Sequence, residues 1–235
     1  MLTTRVKICG MTRPEDAALA AELGADAIGL NFVRGPRRIN FERAGFILDA
    51  LPPLVSAVAL VGESALAKEA QGELPHSLES LLYRGQRRTV FSTFQVYAEN
   101  PPVADFEKLP ETFSWWWVVS IEERESLSIL AEVLDEFDLC PPAALLLDAA
   151  IPGQLGGTGQ TFNWHWIAEA REAGELEGLP PIILAGGLTP ENVAEAIRIA
   201  RPYAVDVASG VEVAGKPGVK DAVKMRDFIQ AAKSV

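Results

Sequence analysis

Short apolar runs alternate with amphipathic segments along the chain, and this alternation limits the possible folds more than any other feature. Runs rich in apolar and β-branched residues are typical of strands buried on both faces. They read RVKIC, ADAIGLNF, LVSAVALV, TVFSTFQVY, WWWVVS, AALLLDA, PIILAGG and AVDVAS. The segments between them have helical periodicity and begin or end near Pro, Gly or a capping residue, as in RPEDAALAAELG and TPENVAEAIRIARP. Strands that alternate with helices pair in parallel, because each helix returns the chain to the starting edge.

About eight strand–helix units in a chain of this length predict an α/β fold, a closed (β/α)8 TIM barrel. One domain over residues 1–235 is expected. A doubly wound open sheet is the alternative. Residues 62–89 depart from the pattern, since the stretch is longer than one helix and two turns require. We interpret it as a divergent segment, a helix with an inserted loop.

Charge and cysteine content exclude several classes of function. The formal net charge of −11 repels nucleic acid and anionic membrane surfaces, so neither is expected as a partner. No apolar run is long enough to span a bilayer, and the first residues show no apolar leader. Cys9 and Cys140 are too few for a disulfide framework and lack metal-ligand spacing. A cytoplasmic protein without a metal is expected, in which any bound anion is held by local groups.

Three polar side chains lie where predicted strands end. Cys9 ends the first strand, Arg37 lies in the loop after the second, and Asp148 ends the sixth. Each alone has an ordinary structural explanation: a packed thiol, a solvated guanidinium and a helix-capping carboxylate. In a barrel, however, the carboxyl ends of all strands surround one mouth. The coincidence of the three favours an active site there.

Glycine-rich loops follow the sixth, seventh and eighth strands, reading GQLGGTGQTFNW, AGGLTPEN and ASGVE. Glycine lets backbone N–H groups approach a ligand closely, and a helix N-terminus adds partial positive charge. Turn formation alone explains one such loop more easily than three adjacent ones. The loops therefore predict a phosphate site, which is frequent after strands seven and eight of these barrels.

Five blocks resemble the signature blocks of the phosphoribosylanthranilate isomerase family, in that family's order: VKICGMTRPEDA, GADAIGLNF, LLLDAAIPGQLGGTGQTFNW, ILAGGLTPENV and AVDVASGVE. The resemblance covers both ends of the chain and is weak over residues 62–140. It implies an Amadori rearrangement of N-(5'-phosphoribosyl)anthranilate to 1-(2-carboxyphenylamino)-1-deoxyribulose 5-phosphate in tryptophan biosynthesis. It also implies a small phosphorylated substrate and no cofactor.

The resemblance implies the roles of two catalytic residues. Asp148 matches the general acid that protonates the furanose ring oxygen, and Cys9 matches the general base that takes the proton from C2'. An acid in a buried mouth needs a raised pKa. A thiol base near neutral pH needs a pKa lowered by nearby positive charge. We therefore expect a raised pKa at Asp148 and a lowered pKa at Cys9.

Substrate contacts are implied in the same way. Arg37 matches the arginine that holds the anthranilate carboxylate, and Arg38 is the choice if the alignment slips by one residue. Asp206 matches a carboxylate near the ribose hydroxyls. The residues that match the phosphate-binding loops are Gly157, Gly186, Gly187, Ser209 and Gly210.

Tyr97 departs from the family pattern, because it stands in FQVYAEN where most members have histidine. Tyrosine can hydrogen-bond and stack on an aromatic ring, but it carries no charge near neutral pH. One alternative is a barrel that binds a phosphorylated metabolite without turnover. A related sugar-phosphate isomerase of histidine biosynthesis is another, although that family has an aspartate where this chain has Cys9. A monomer and a homodimer both remain open.

Overall fold

The computed structural model describes residues 3–62, 83–84, 87–88, 91–98, 114–134, 141–149 and 161–235. Eight parallel strands in these residues close into a barrel in chain order, and the last pairs with the first. They are β1 Arg5–Ile8, β2 Ala27–Asn31, β3 Ser56–Gly62, β4 Thr93–Tyr97, β5 Ser114–Ile121, β6 Ala144–Ala149, β7 Ile182–Leu184 and β8 Ala204–Val207. The predicted (β/α)8 barrel is confirmed. The doubly wound alternative is wrong, because it would leave two open sheet edges.

Helices connect the strands, and local chemistry sets several of their ends. They are α1 Pro14–Glu22, α2 Phe41–Asp49, α3 Glu125–Ser128, α4 Leu130–Leu134, α5 His165–Glu172, α6 Val193–Ala200 and α7 Ala222–Lys233. A 3₁₀ turn, Ser209–Val211, follows β8. Pro14 starts α1, where a missing N–H costs nothing. The side chains of Asn40 and Asp221 accept hydrogen bonds from the first turns of α2 and α7.

Alternation along the strands separates two buried layers. Outward side chains such as Val6, Ile8, Trp115 and Trp117 pack in the main core between the barrel and the helices. The inward side chains divide the barrel interior into two halves. One half is apolar, with Val118, Ala144, Leu146, Ile183, Ala185 and Ala204 packed against Trp116 and Tyr97.

The other half of the interior is polar and comes from β1, β4 and β8. Lys7, Gln95 and Asp206 are all buried there, with exposed fractions of 2%, 1% and 7%. Buried polar groups are costly unless they are hydrogen-bonded, so these three must bond to one another. This polar half lies beneath the mouth and determines the electrostatics of the site.

Most of the divergent segment 62–89 lies outside the described residues. Its described part beyond Gly62 is a two-residue antiparallel ribbon in which Tyr83 pairs with Arg88. The helix with an inserted loop therefore stays a prediction, and so does the assignment of residues 1–235 to one domain. Across the described ranges, no helix combines the length and apolar character needed to cross a membrane.

Candidate active site

A cavity of about 290 Å³ opens at the carboxyl ends of the strands. This volume suits one small organic molecule. Nine of the eleven residues named from the sequence line it: Cys9, Arg37, Tyr97, Asp148, Gly186, Gly187, Asp206, Ser209 and Gly210. Arg38 is exposed and lies outside the lining; its backbone N–H closes a local turn on the Gly35 carbonyl at 3.1 Å. Gly157 lies outside the described residues.

Asp148 projects from β6 into the cavity as a largely buried carboxyl. Burial raises its pKa to about 6, and the negative charge of Asp206 adds to the rise. The backbone N–H of Ala149 and the charge of Lys7 offset part of it. The expected raised pKa at Asp148 is confirmed, and its physical cause is desolvation.

Gly186 is required by the position of this carboxyl. Its φ is +81°, and a Cβ there would lie 2.9 Å from Asp148 Oδ1 and 2.6 Å from the Ala149 nitrogen. Only glycine tolerates both the conformation and the approach. One glycine of the predicted phosphate loop therefore also makes room for the acid.

Cys9 follows β1 as a buried free thiol, and its pKa differs in direction from the expectation. Burial raises the pKa of Cys9, and so does the nearby charge of Asp206. Lys7 and Lys220 lower it without reversing the rise. The expected lowered pKa is therefore wrong for this structure, because two ammonium groups do not outweigh desolvation and a buried carboxylate.

Lys7 is a site residue that the sequence reasoning missed. Its Nζ donates to Asp206 Oδ1 at 2.8 Å and to Gln95 Oε1 at 2.9 Å. Lys7 and Asp206 are direct neighbours in the β1–β8 register. A signal was available in RVKIC, since alternation places Lys7 on the same side of the strand as Cys9.

Arg37 extends along the rim and is oriented by a buried carboxylate, Glu212. Its Nε and Nη2 donate to the two Glu212 oxygens at 2.8 Å each, a bidentate pair. Glu212 also accepts from the Gly218 N–H at 2.9 Å and from Lys220 Nζ at 3.1 Å. Burial alone would raise the pKa of Glu212, but these donors lower it. Glu212 thus remains charged and holds Arg37 at the cavity.

Lys220 connects this ion pair to the predicted phosphate loop. Its Nζ donates to the Ala208 carbonyl at 2.9 Å, directly before Ser209. The side chain is buried, and burial lowers its pKa. Neither Glu212 nor Lys220 was identified as a site residue from the sequence, although Glu212 ends the quoted motif ASGVE.

The loops after β7 and β8 pack against each other and leave glycine surface at the cavity. Gly187 has a φ of +62°, and its carbonyl accepts from Asn192 Nδ2 at 3.0 Å. A Cβ on Gly210 would collide with the Leu188 carbonyl. The two loops therefore approach closely because Gly210 has no side chain where it meets the Leu188 carbonyl. Among the described residues, no group of His, Cys, Asp and Glu could hold a metal ion.

Tyr97 ends β4 and lines the cavity, where its side chain could contact a ligand. Its hydroxyl oxygen accepts a hydrogen bond from Gln95 Nε2 at 3.0 Å. Burial raises the pKa of Tyr97 well above its ordinary value, so the phenol is neutral. Tyr97 therefore contributes a hydroxyl and an aromatic face to the site.

Sequence comparison relates the chain to proteins of one function. A family model described as N-(5'-phosphoribosyl)anthranilate (PRA) isomerase matches residues 109–231. The N-(5'-phosphoribosyl)anthranilate isomerase of Trichlorobacter lovleyi is 41% identical over 230 residues, which are 97% of this chain and 98% of that protein.

Structural comparison gives proteins of the same name. Monomers derived from the dimeric phosphoribosylanthranilate isomerase of Thermotoga maritima match with 30% identity and a TM-score of 0.72, over 99% of this chain and 100% of that one. A phosphoribosylanthranilate isomerase in complex with reduced 1-(o-carboxyphenylamino)-1-deoxyribulose 5-phosphate matches with 29% identity, a TM-score of 0.72 and the same coverage.

Proposed function

Because this chain belongs to the N-(5'-phosphoribosyl)anthranilate isomerase family, we propose that its cavity converts N-(5'-phosphoribosyl)anthranilate to 1-(2-carboxyphenylamino)-1-deoxyribulose 5-phosphate. The chain is an isomerase of tryptophan biosynthesis. The observation that carries the proposal is one cavity lined by both Asp148, with a pKa of about 6, and the buried thiol of Cys9. A proton donor and a proton acceptor at one small site are what an isomerisation needs.

Asp148 acts first in the proposed mechanism. Its neutral carboxyl donates a proton to the furanose ring oxygen, and the bond between that oxygen and C1' breaks. The ring opens to an iminium cation, in which the anthranilate nitrogen is doubly bonded to C1'. Burial favours this step, because the pKa of about 6 keeps a fraction of Asp148 protonated near neutral pH.

Cys9 acts second, as a thiolate. It takes the proton from C2', the C–H electrons form the double bond between C1' and C2', and the iminium electrons return to nitrogen. The resulting enolamine tautomerises to the ketone. One proton enters and one leaves, so the overall change is an isomerisation that consumes no oxidant or reductant.

The remaining lining residues hold the substrate at both ends. Arg37 uses two of its five N–H donors on Glu212, which leaves its Nη1 group for the anthranilate carboxylate. The carboxylate of Asp206 accepts hydrogen bonds from the ribose hydroxyls. The phosphate is held by backbone N–H groups of the glycine-rich loops at Gly186, Gly187, Ser209 and Gly210, which line the cavity. For Gly157, which lies outside the described residues, the same role rests on the resemblance alone.

The direct test uses the fluorescence of the anthranilate group. Purified protein added to freshly made phosphoribosylanthranilate is expected to abolish that fluorescence with saturable kinetics. The alternative of a barrel that binds without turnover predicts saturable binding and undiminished fluorescence. The latter outcome would overturn the proposed reaction and leave a binding protein.

Inorganic phosphate is expected to compete with the substrate and to raise the melting temperature. The reason is mass action: a ligand of the folded state alone stabilises it by about 2.7 kcal/mol at a hundredfold excess over its Kd. Potassium chloride of equal ionic strength is the control. If saturating phosphate moved neither KM nor the melting temperature, the phosphate assignment would fail.

Replacing Tyr97 by phenylalanine is expected to raise KM with little change in kcat. The variant keeps the ring and loses one neutral hydrogen bond, worth roughly 0.5–1.5 kcal/mol. Tyr97→His restores the usual family residue and should retain activity. A wild-type protein without activity that gains it on Tyr97→His would show instead that the tyrosine blocks the substrate.

Both a monomer and a homodimer stay open for this chain, since a dimeric relative has been solved in monomeric form. We place the protein in the cytoplasm, because a free thiol at Cys9 needs reducing surroundings to remain a base.

A further inference from the structure

Lys7 is a buried ammonium group just below the cavity and is absent from its lining. A lysine has three N–H donors. Two of them bond to Asp206 Oδ1 and Gln95 Oε1 at 2.8 and 2.9 Å. The thiol of Cys9 lies near the same ammonium group, because both atoms border the space beside Gly29, and the positive charge of Lys7 favours the thiolate. Lys7 therefore lies close to the base of the proposed reaction and is bonded to the carboxylate proposed for the ribose.

Gly29 on β2 shows how tightly Lys7 and Cys9 are placed together. A Cβ at Gly29 would lie 2.7 Å from Cys9 Sγ and 3.1 Å from Lys7 Nζ. Cys9 Sγ and Lys7 Nζ thus both border the space that the side chain of any other residue at Gly29 would fill. The absent side chain leaves room for the thiol and the ammonium group near each other inside the barrel.

We propose that Lys7 is a positioning residue for the reaction: its ammonium group orients Cys9 and supplies the fixed positive charge against which the thiolate forms. The inference rests on the proposed function for the reaction that Cys9 serves. It explains how a buried thiol can act as a base where the described lining contains no imidazole. Lys7 itself stays below the substrate and acts through Cys9 and Asp206.

The charges around Cys9 predict the direction in which each substitution shifts the ionisation of its thiol. The titratable and charged groups that influence it come from several elements and are Lys7, Arg37, Tyr97, Asp206 and Lys220. Among them, Asp206 opposes the thiolate, whereas Lys7 favours it. Removing the charge of Lys7 should therefore disfavour the thiolate, and removing the charge of Asp206 should favour it.

The test is a titration of thiolate absorbance, measured as the difference between each variant and the same variant carrying Cys9→Ala. Subtraction removes the signals of Cys140 and the tyrosines. Lys7→Met is expected to move the Cys9 titration to higher pH by about one to three units, the effect of an opposite charge at close range. Asp206→Asn is expected to move it to lower pH. A purely structural role for Lys7 would not produce shifts of opposite sign.

Lys7→Met leaves Asp206 buried without its counter-ion, so this variant could fail to fold. The double variant Lys7→Met with Asp206→Asn removes both charges and keeps the test decisive. Its Cys9 should titrate at higher pH than Cys9 in Asp206→Asn alone. A titration unchanged by removal of Lys7 in either background would overturn the proposal. Folding of each variant is checked by thermal denaturation.

Kinetics then separate this inference from the proposed function. In Lys7→Met, or in the double variant relative to Asp206→Asn, kcat is expected to fall at least about tenfold with a smaller change in KM, since one pH unit is tenfold in thiolate. Titration shifts as expected without isomerase activity in the wild type would retain the role of Lys7 and refute the substrate. Isomerase activity in the wild type, together with a Cys9 titration that does not move, would support the substrate and refute the role of Lys7.

Discussion

Asp148→Asn is expected to lower kcat by roughly 10²–10⁴-fold, the usual contribution of a general acid. The amide has nearly the same shape as the carboxyl, so the cavity and the barrel should persist. It cannot transfer a proton to the ring oxygen, however, and ring opening should then limit the rate. Cys9→Ala should have an effect of similar size, because it removes the acceptor for the C2' proton. Fluorescence loss under saturating substrate measures both variants.

A matched control is Asp221→Asn, the same substitution at the N-cap of α7. Asparagine caps helices about as well as aspartate, so kcat and stability should be unchanged. If Asp148→Asn turned over at the wild-type rate, Asp148 would be excluded as the acid. The same outcome for Cys9→Ala would exclude Cys9 as the base.

The pH profile offers an independent check on Asp148. The reaction needs Asp148 protonated, with a pKa of about 6, and Cys9 ionised, with a pKa raised by burial. Below pH 6 Asp148 is almost fully protonated, so kcat/KM rises with pH as the thiolate fraction of Cys9 rises. Above pH 6 the protonated fraction of Asp148 falls as fast as the thiolate fraction of Cys9 rises. The two changes cancel, so kcat/KM stays level until the pH reaches the pKa of Cys9. In Asp148→Asn the break near pH 6 should disappear.

Arg37→Ala is expected to raise KM about tenfold to a hundredfold and to change kcat less. Hydrogen bonds to charged groups contribute about 1.5–3 kcal/mol, and this one is made equally to substrate and transition state. Glu212 keeps its bonds from Gly218 and Lys220, so the rim should survive the loss of the guanidinium. Steady-state fluorescence kinetics give both constants.

Arg38→Ala is the matched control, since it removes the same side chain one position along the loop. Arg38 is exposed and outside the cavity, so KM should not change. A large KM effect at Arg38 together with none at Arg37 would show that the carboxylate contact is misassigned by one residue.

The barrel is predictable from the sequence, because the signals for strands and helices are local. Apolar runs, helical periodicity and Gly or Pro at the boundaries depend on residues a few positions apart, and they placed all eight strands. Cys9 and Asp148 are predicted at the mouth because each ends a strand, and the carboxyl ends of parallel strands lie on the same side of a barrel. Trp115 and Trp117 pack in the outer layer and Trp116 in the inner one, as alternation along a strand requires.

The electrostatics of the site, in contrast, become visible only in the folded chain. Lys7 meets Gln95 and Asp206 across 88 and 199 positions of sequence, and Arg37 meets Glu212 across 175. No local pattern encodes such partners. The pKa of Cys9 shows the consequence: nearby positive charge was a reasonable expectation, yet its direction depended on desolvation and on Asp206. A pKa sums burial and distances over the whole barrel, and those quantities exist only once the chain has folded.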